Sequence, residues 1–102
     1  MAFTPVLAAA ELWDGDMTTV SIGGRSVLLV RLNDTVYAYD NRCAHLGVAL
    51  SEGRLDGHVL TCFAHQWQYD VRSGCGVNPA SAHLRRFPVK IETGQVLVDI
   101  ND

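Results

Sequence analysis

The sequence predicts a small all-β domain: an antiparallel sandwich or barrel-like base that carries two irregular loops. Three observations lead there. Seven or eight short apolar or alternating segments recur along the chain. Gly or Asn/Asp pairs stand between them as turn signals. A length of 102 residues makes one domain, 1–102, with no room for a second fold.

The elements follow in order. VLAAAEL (6–12) suits a short helical turn or an extended segment equally. MTTVSI (17–22) reads as a strand closed by the turn Gly23-Gly24. SVLLVRL (26–32) is a strong, almost continuously apolar strand. Asn33-Asp34 then turns the chain into TVYAYD (35–40), which alternates and should pair with its predecessor as a hairpin. The regular pattern stops at NRCAHLGVALSEG, a loop. GRLDGHVLTC (53–62) holds a turn at Asp56-Gly57 and a strand running up to Cys62. FAHQWQYDVRSGCGVNPAS is broken again, apart from a short strand at WQYD. HLRRFPVKI (83–91) and QVLVDI (95–100) form a last hairpin across Thr93-Gly94. Trp13 and the apolar strand residues are expected in the core.

Composition excludes some functions. Eight basic side chains stand against eleven acidic ones, a formal charge of -3. The longest basic run is Arg85-Arg86, so the clustered positive charge that nucleic acid demands is absent. A mildly acidic surface suits contact with a basic protein patch. The opening MAFTPVLAAAELW lacks the basic start of a signal peptide, and no apolar run is long enough to span a membrane. A cytoplasmic location is expected. Three cysteines, an odd number, imply no disulfide framework.

The chemistry lies in the two irregular loops. CAHLG (43–47) pairs Cys43 with His45, and CFAHQWQYD (62–70) pairs Cys62 with His65. Two such pairs at ligand spacing in one short chain point to a metal site. Zinc is one candidate, because two cysteines and two histidines make a legitimate structural set. Its usual order groups Cys with Cys and His with His, whereas here each pair is mixed. Mixed pairs on two loops also fit a binuclear iron-sulfur centre, with two thiolates on one iron and two imidazoles on the other.

With these residues in view, the chain resembles the Rieske family, and within it the small ferredoxins of bacterial oxygenase systems. The likeness rests on C-A-H-L-G and C-F-A-H-Q-W-Q-Y-D, and extends through SEGRLDGHVLTC and FPVKIETGQVLV over nearly the whole chain. It implies one [2Fe-2S] cluster on a loop subdomain at about 41–82, inserted in the β base. Cys43 and Cys62 would hold the inner iron, and His45 and His65 the outer iron. SGCGVNP (73–79) looks like the Gly-x-Asn-Pro segment of toluene monooxygenase ferredoxins. Asn78-Pro79 should fix a turn against the cluster loops.

The resemblance also marks departures. High-potential relatives clasp their loops with a disulfide at the positions of Val48 and Ala64, and place a serine hydroxyl at the position of Trp67. Tyr69 stands where a tyrosine hydroxyl approaches a ligand sulfur. One donor lost and one kept implies a potential low in the Rieske range of roughly -150 to +300 mV. Neutral imidazoles leave the oxidised centre uncharged, which makes it easier to reduce than an all-thiolate centre. Trp67 is a candidate docking contact or a core residue, and Leu46 and Gly47 could frame the same face. Gln66 replaces a glycine common among relatives, which puts the local turn geometry in question. Cys75, His58 and His83 match no ligand position, and the two histidines are expected on the surface.

The function implied is electron transfer without catalysis by the chain alone. A flavin-containing, NAD(P)H-dependent reductase would supply single electrons to the diiron hydroxylase of an aromatic or hydrocarbon monooxygenase. The alternatives are service to a ring-hydroxylating dioxygenase, a nitrite reductase small subunit, or a zinc-stapled binding module. The free chain is expected to be monomeric.

Overall fold

The computed structural model describes residues 3–42, 49–62, 66–78 and 82–100. Within them, the strands are β1 (Thr4–Ala8), β2 (Met17–Ile22), β3 (Arg25–Leu32), β4 (Thr35–Asp40), β5 (Arg54–Asp56), β6 (Val59–Thr61), β7 (Gln68–Asp70), β8 (Gly76–Asn78), β9 (Arg86–Phe87), β10 (Val89–Glu92) and β11 (Gln95–Val98). Every pairing is antiparallel. They form three sheets, ordered β1-β11-β10, β2-β3-β4-β9 and β5-β6-β7-β8. The all-β expectation holds.

The apolar run of β3 explains how the sheets stack. Successive strand side chains point to opposite faces, so a run without alternation must be covered on both. Leu28 and Val30 join Tyr39, Leu60, Cys62 and Tyr69 in one buried cluster. Val27 and Leu29 join Val36, Ala38, Phe87, Val96 and Val98 in the other. The β2-β3-β4-β9 sheet is therefore the middle layer. The β10-β11 hairpin packs on one face, and β5-β8 on the other.

Local turn chemistry sets the registers. The Gly23-Gly24 turn has φ of 57° and 81°, the Asn33-Asp34 turn 50° and 68°, and the Thr93-Gly94 turn 53° and 75°. Two successive positive φ values make the two-residue hairpin turn whose twist matches its strands. Each hairpin expected from these dipeptides is present.

Four expectations need correction. Strands are more numerous and shorter than seven or eight. HLRRFPVKI is not one strand: Arg86–Phe87 pairs with β4, Pro88 interrupts, and Val89–Glu92 pairs with β11 in another sheet. Proline cannot donate to a ladder, so the chain changes sheets there. Trp13 is 71% exposed rather than core, because the segment after β1 leaves the sheet. Leu12 takes the buried place at 1%. Asn78 closes β8 opposite Gln68 instead of a turn; Pro79 lies outside the described residues. The 6–12 segment is both things expected of it, strand to Ala8 and then a 3-10 turn over Ala9–Glu11.

Candidate metal centre

Strand direction takes β4 and β6, which precede the two Cys/His segments, to one end of the domain. The Asn33-Asp34 turn and the β5-β6 turn lie at one end of the molecule, since Asn33, Thr35, Gly57 and His58 border a common cavity. β4 and β6 both start there and run toward the other end. β4 reaches Asp40 and leads into CAHLG; β6 reaches Thr61 and leads into CFAH. Cys43, His45, Leu46, Gly47 and His65 lie outside the described residues, as do Val48 and Ala64.

Cys62 is fully buried at the end of β6 and belongs to the cluster formed by Leu60, Tyr69, Val71 and Leu50. Its N–H donates to the carbonyl of Trp67 at 2.7 Å. That bond joins the described residues on either side of 63–65. Gln66 within it has φ of 56°, the left-handed conformation that glycine adopts freely. Glutamine here holds a backbone conformation that glycine adopts freely, and the neighbouring His65 lies outside the described residues. Trp67 is half-buried against the same core cluster, and Tyr69 is fully buried in it. Trp67 packs one part of its ring against this core and leaves another part exposed.

Three residues not singled out in the sequence hold the frame. Asn41 is 8% exposed, two positions before Cys43. Its Nδ2 donates to the hydroxyls of Ser26 and Ser51, both at 3.1 Å, and its Oδ1 accepts from the Ser51 N–H at 2.9 Å. It clamps both ends of the first loop to β3. Gly53 follows the 3-10 turn Leu50–Glu52, and any Cβ there would collide with the Thr61 carbonyl. This contact brings the exit of the first loop against the entrance of the second. A cavity of about 410 Å³, bordered by Gly53, Arg54, Thr61, Cys62 and Gln66, opens at the junction. Tyr39, on β4, donates from its hydroxyl to the Val71 carbonyl at 2.6 Å and ties the middle sheet to β5-β8. Burial pushes its phenol up to about 12. The available signals were slight: a polar amide at a strand end, a glycine beside a turn, a tyrosine in an alternating strand.

The outer groups behave as surface residues. His58 and His83 are exposed, as expected. Cys75 is exposed and bridges to His83 in the chain that returns to the base. Asp70 is held below the usual carboxylate range by hydrogen bonds from the Arg72 guanidinium, despite partial desolvation.

Of the two Cys/His pairs only Cys62 is described, and among the described residues no group of three or more His, Cys, Asp or Glu side chains could hold a metal ion. Cys62 places a buried sulfur in apolar surroundings, where a thiolate is tolerated when a metal neutralises it. No helix among the described residues is long and apolar enough to cross a membrane.

Comparison with known proteins agrees. A family profile described as the Rieske [2Fe-2S] domain matches residues 2–88. The ferredoxin component of the alkene monooxygenase system of Xanthobacter autotrophicus (strain ATCC BAA-1158 / Py2) is 46% identical over 94% of this chain and 80% of its own. The ferredoxin component of the naphthalene 1,2-dioxygenase system of Pseudomonas putida is 31% identical over 93% of this chain and 92% of its own. Ferredoxins of other dioxygenase systems match at 31–35%. A structure of reduced oxygenase with oxidised ferredoxin from carbazole 1,9a-dioxygenase matches with a TM-score of 0.85 and 32% identity, over 94% of this chain and 91% of the other. The matches favour dioxygenase ferredoxins in breadth, which moves weight from the expected monooxygenase partner toward its alternative.

Proposed function

Because the chain belongs to the Rieske [2Fe-2S] family and is an electron-carrying ferredoxin of an oxygenase system, we propose that it delivers single electrons to the terminal oxygenase of a ring-hydroxylating dioxygenase. Family membership implies one [2Fe-2S] cluster. In this reading Cys43 and Cys62 hold the inner iron and His45 and His65 the outer iron, within an insert at about 41–82. When bound, the cluster supplies a one-electron carrier with no coordination position open to substrate.

The chain's own residues do the rest. Cys62 is set by the end of β6, and the bond from its N–H to Trp67 holds the second loop closed. Asn41 and Gly53 hold the first loop against it. Leu50, Leu60, Tyr69 and Val71 exclude water from the Cys62 side. The observation that supports the reading is that β4 and β6, which lead into the two Cys/His segments, end on one side of the domain, with the Cys62 sulfur buried at the end of β6.

A flavin-containing, NAD(P)H-linked reductase supplies the electrons, and the free carrier is a monomer. Delivery to a diiron monooxygenase hydroxylase is the second reading, favoured by the 46% identity to the alkene monooxygenase ferredoxin. The purified chain should be red-brown, with two irons and two labile sulfides per chain. A colourless protein holding one zinc overturns the assignment. Turnover assays with a reductase and either oxygenase separate the two partners: coupled product formation with only the diiron hydroxylase selects the second reading.

A further inference from the structure

The chain is acidic overall, yet two cavities at the end where β4 and β6 finish are bordered by four arginines, Arg25, Arg42, Arg54 and Arg85, against Asp40 and Glu52. At the opposite end, Asp14, Asp34 and Asp56 stand near Arg31 and Arg72.

The basic groups converge on one feature. An open cavity of about 470 Å³ is bordered by Arg25, Arg42 and Arg85, the Gly23-Gly24 turn and a single carboxylate, Asp40. Arg25 reaches Asp40 only at 4.0 Å, and its buried Nη1 makes no hydrogen bond. The Arg42 guanidinium makes no hydrogen bond or ion pair among the described residues, and Arg42 immediately precedes Cys43. The ring of Phe87 supports Arg25 at 6.0 Å and Arg85 at 5.3 Å. Two cationic groups are thus held on one aromatic platform before any partner arrives, which lowers the ordering cost of binding.

We propose that this cavity is an anchoring point for carboxylate side chains on an acidic patch of the electron-transfer partner. The inference rests on the carrier function and names the chemistry of its docking face. It reverses the expectation drawn from net charge, which pointed to a basic partner patch. A protein partner is the occupant because the cavity adjoins the segment that bears Cys43, where an electron must leave. Arginine forks match carboxylates in two-point contact, which fixes orientation as well as proximity.

The test uses the full cluster-loaded chain and the oxygenase component that supports turnover. The second-order rate of electron delivery is followed by stopped flow across ionic strength for wild type, Arg25→Gln, Arg42→Gln and the remote control Lys90→Gln on β10. Iron content and midpoint potential are measured for each. The expected result is a fall of about three- to tenfold at low salt for the two arginine variants, a shallower salt dependence, unchanged potential and unchanged Lys90→Gln. Wild-type rates and salt slopes in both variants overturn the docking assignment and leave the carrier function standing. An equal fall in Lys90→Gln also overturns it, since the effect is then one of net charge. If wild type delivers no electron to any oxygenase while holding its cluster, the carrier reading fails and the docking inference falls with it.

Discussion

At the scale of single residues, two positions decide whether the loops can close. Gly53 is needed for space, since its φ is an ordinary -83°. The Thr61 carbonyl occupies the room a methyl group would take, and backbone cannot rotate away as a side chain can. Gly53→Ala should cost about 1–3 kcal/mol and lower iron content; an alanine variant with wild-type iron and melting temperature would falsify this. Gln66 poses the converse problem, with free space but an unfavourable φ of 56°. Gln66→Gly should range from neutral to about 1 kcal/mol more stable, because relief of strain opposes the added freedom of the unfolded chain. Gln66→Val should lose about 1–2 kcal/mol, as a β-branched side chain tolerates that conformation worst. Urea titration of both variants checks the order, and valine above glycine defeats the explanation.

At the scale of elements, β3 and the Asn41 clamp divide the work. β3 faces two layers, so neighbouring leucines should have different consequences. Leu28→Ala and Leu29→Ala should each cost about 3 kcal/mol, since both are fully buried. Leu28 faces the Cys62 cluster and Leu29 the β10-β11 face. Only Leu28→Ala should hasten iron loss below the melting transition, as bleaching of the visible absorbance would show. Equal bleaching in both would mean that the layers do not act separately. Asn41→Ala removes three hydrogen bonds and leaves the Ser51 N–H without its acceptor, a loss of about 2 kcal/mol. Faster iron release to a chelator is expected, and an unchanged rate would count against the clamp. The sequence revealed β2, β3, β4 and the final hairpin turn because period, apolarity and turn dipeptides act locally. It pointed to the two Cys/His pairs because ligand chemistry restricts residue type, and of these the structure describes Cys62 alone, buried at the end of β6. It hid the Pro88 change of sheet, since a short break looks like an irregular strand, and it misplaced Trp13, since apolarity does not say where a chain leaves its sheet. Asn41, Gly53 and Tyr39 were hidden for another reason: their partners are distant in sequence, and nothing in an Asn, Gly or Tyr announces which carbonyl or hydroxyl it will meet.

At the scale of the whole molecule, Tyr39 is a strut between the middle sheet and the β5-β8 sheet. Its hydroxyl must stay protonated to donate. The unfolded phenol ionises near pH 10 and the folded one near 12. Between those values the unfolded chain has lost a proton that the native chain keeps, so stability falls as pH rises. Its contribution is complete below pH 10 and lost by about pH 12, with an order of magnitude of 3 kcal/mol. Tyr39→Phe should lower stability at pH 8 by about 1–2 kcal/mol and flatten the alkaline decline; a variant with the same alkaline slope as wild type would assign that slope elsewhere. The shared direction of β4 and β6 has a further effect, on traffic. β4 and β6, which lead into the two Cys/His segments, end on one side, so in the proposed reading the carrier has a single port. Electron donor and electron acceptor must then use it in turn, and the chain works as a shuttle, not a bridge. Excess reductase should slow oxygenase turnover by occupying the port, and covalently joining the carrier to either partner should help one half of the cycle at the expense of the other.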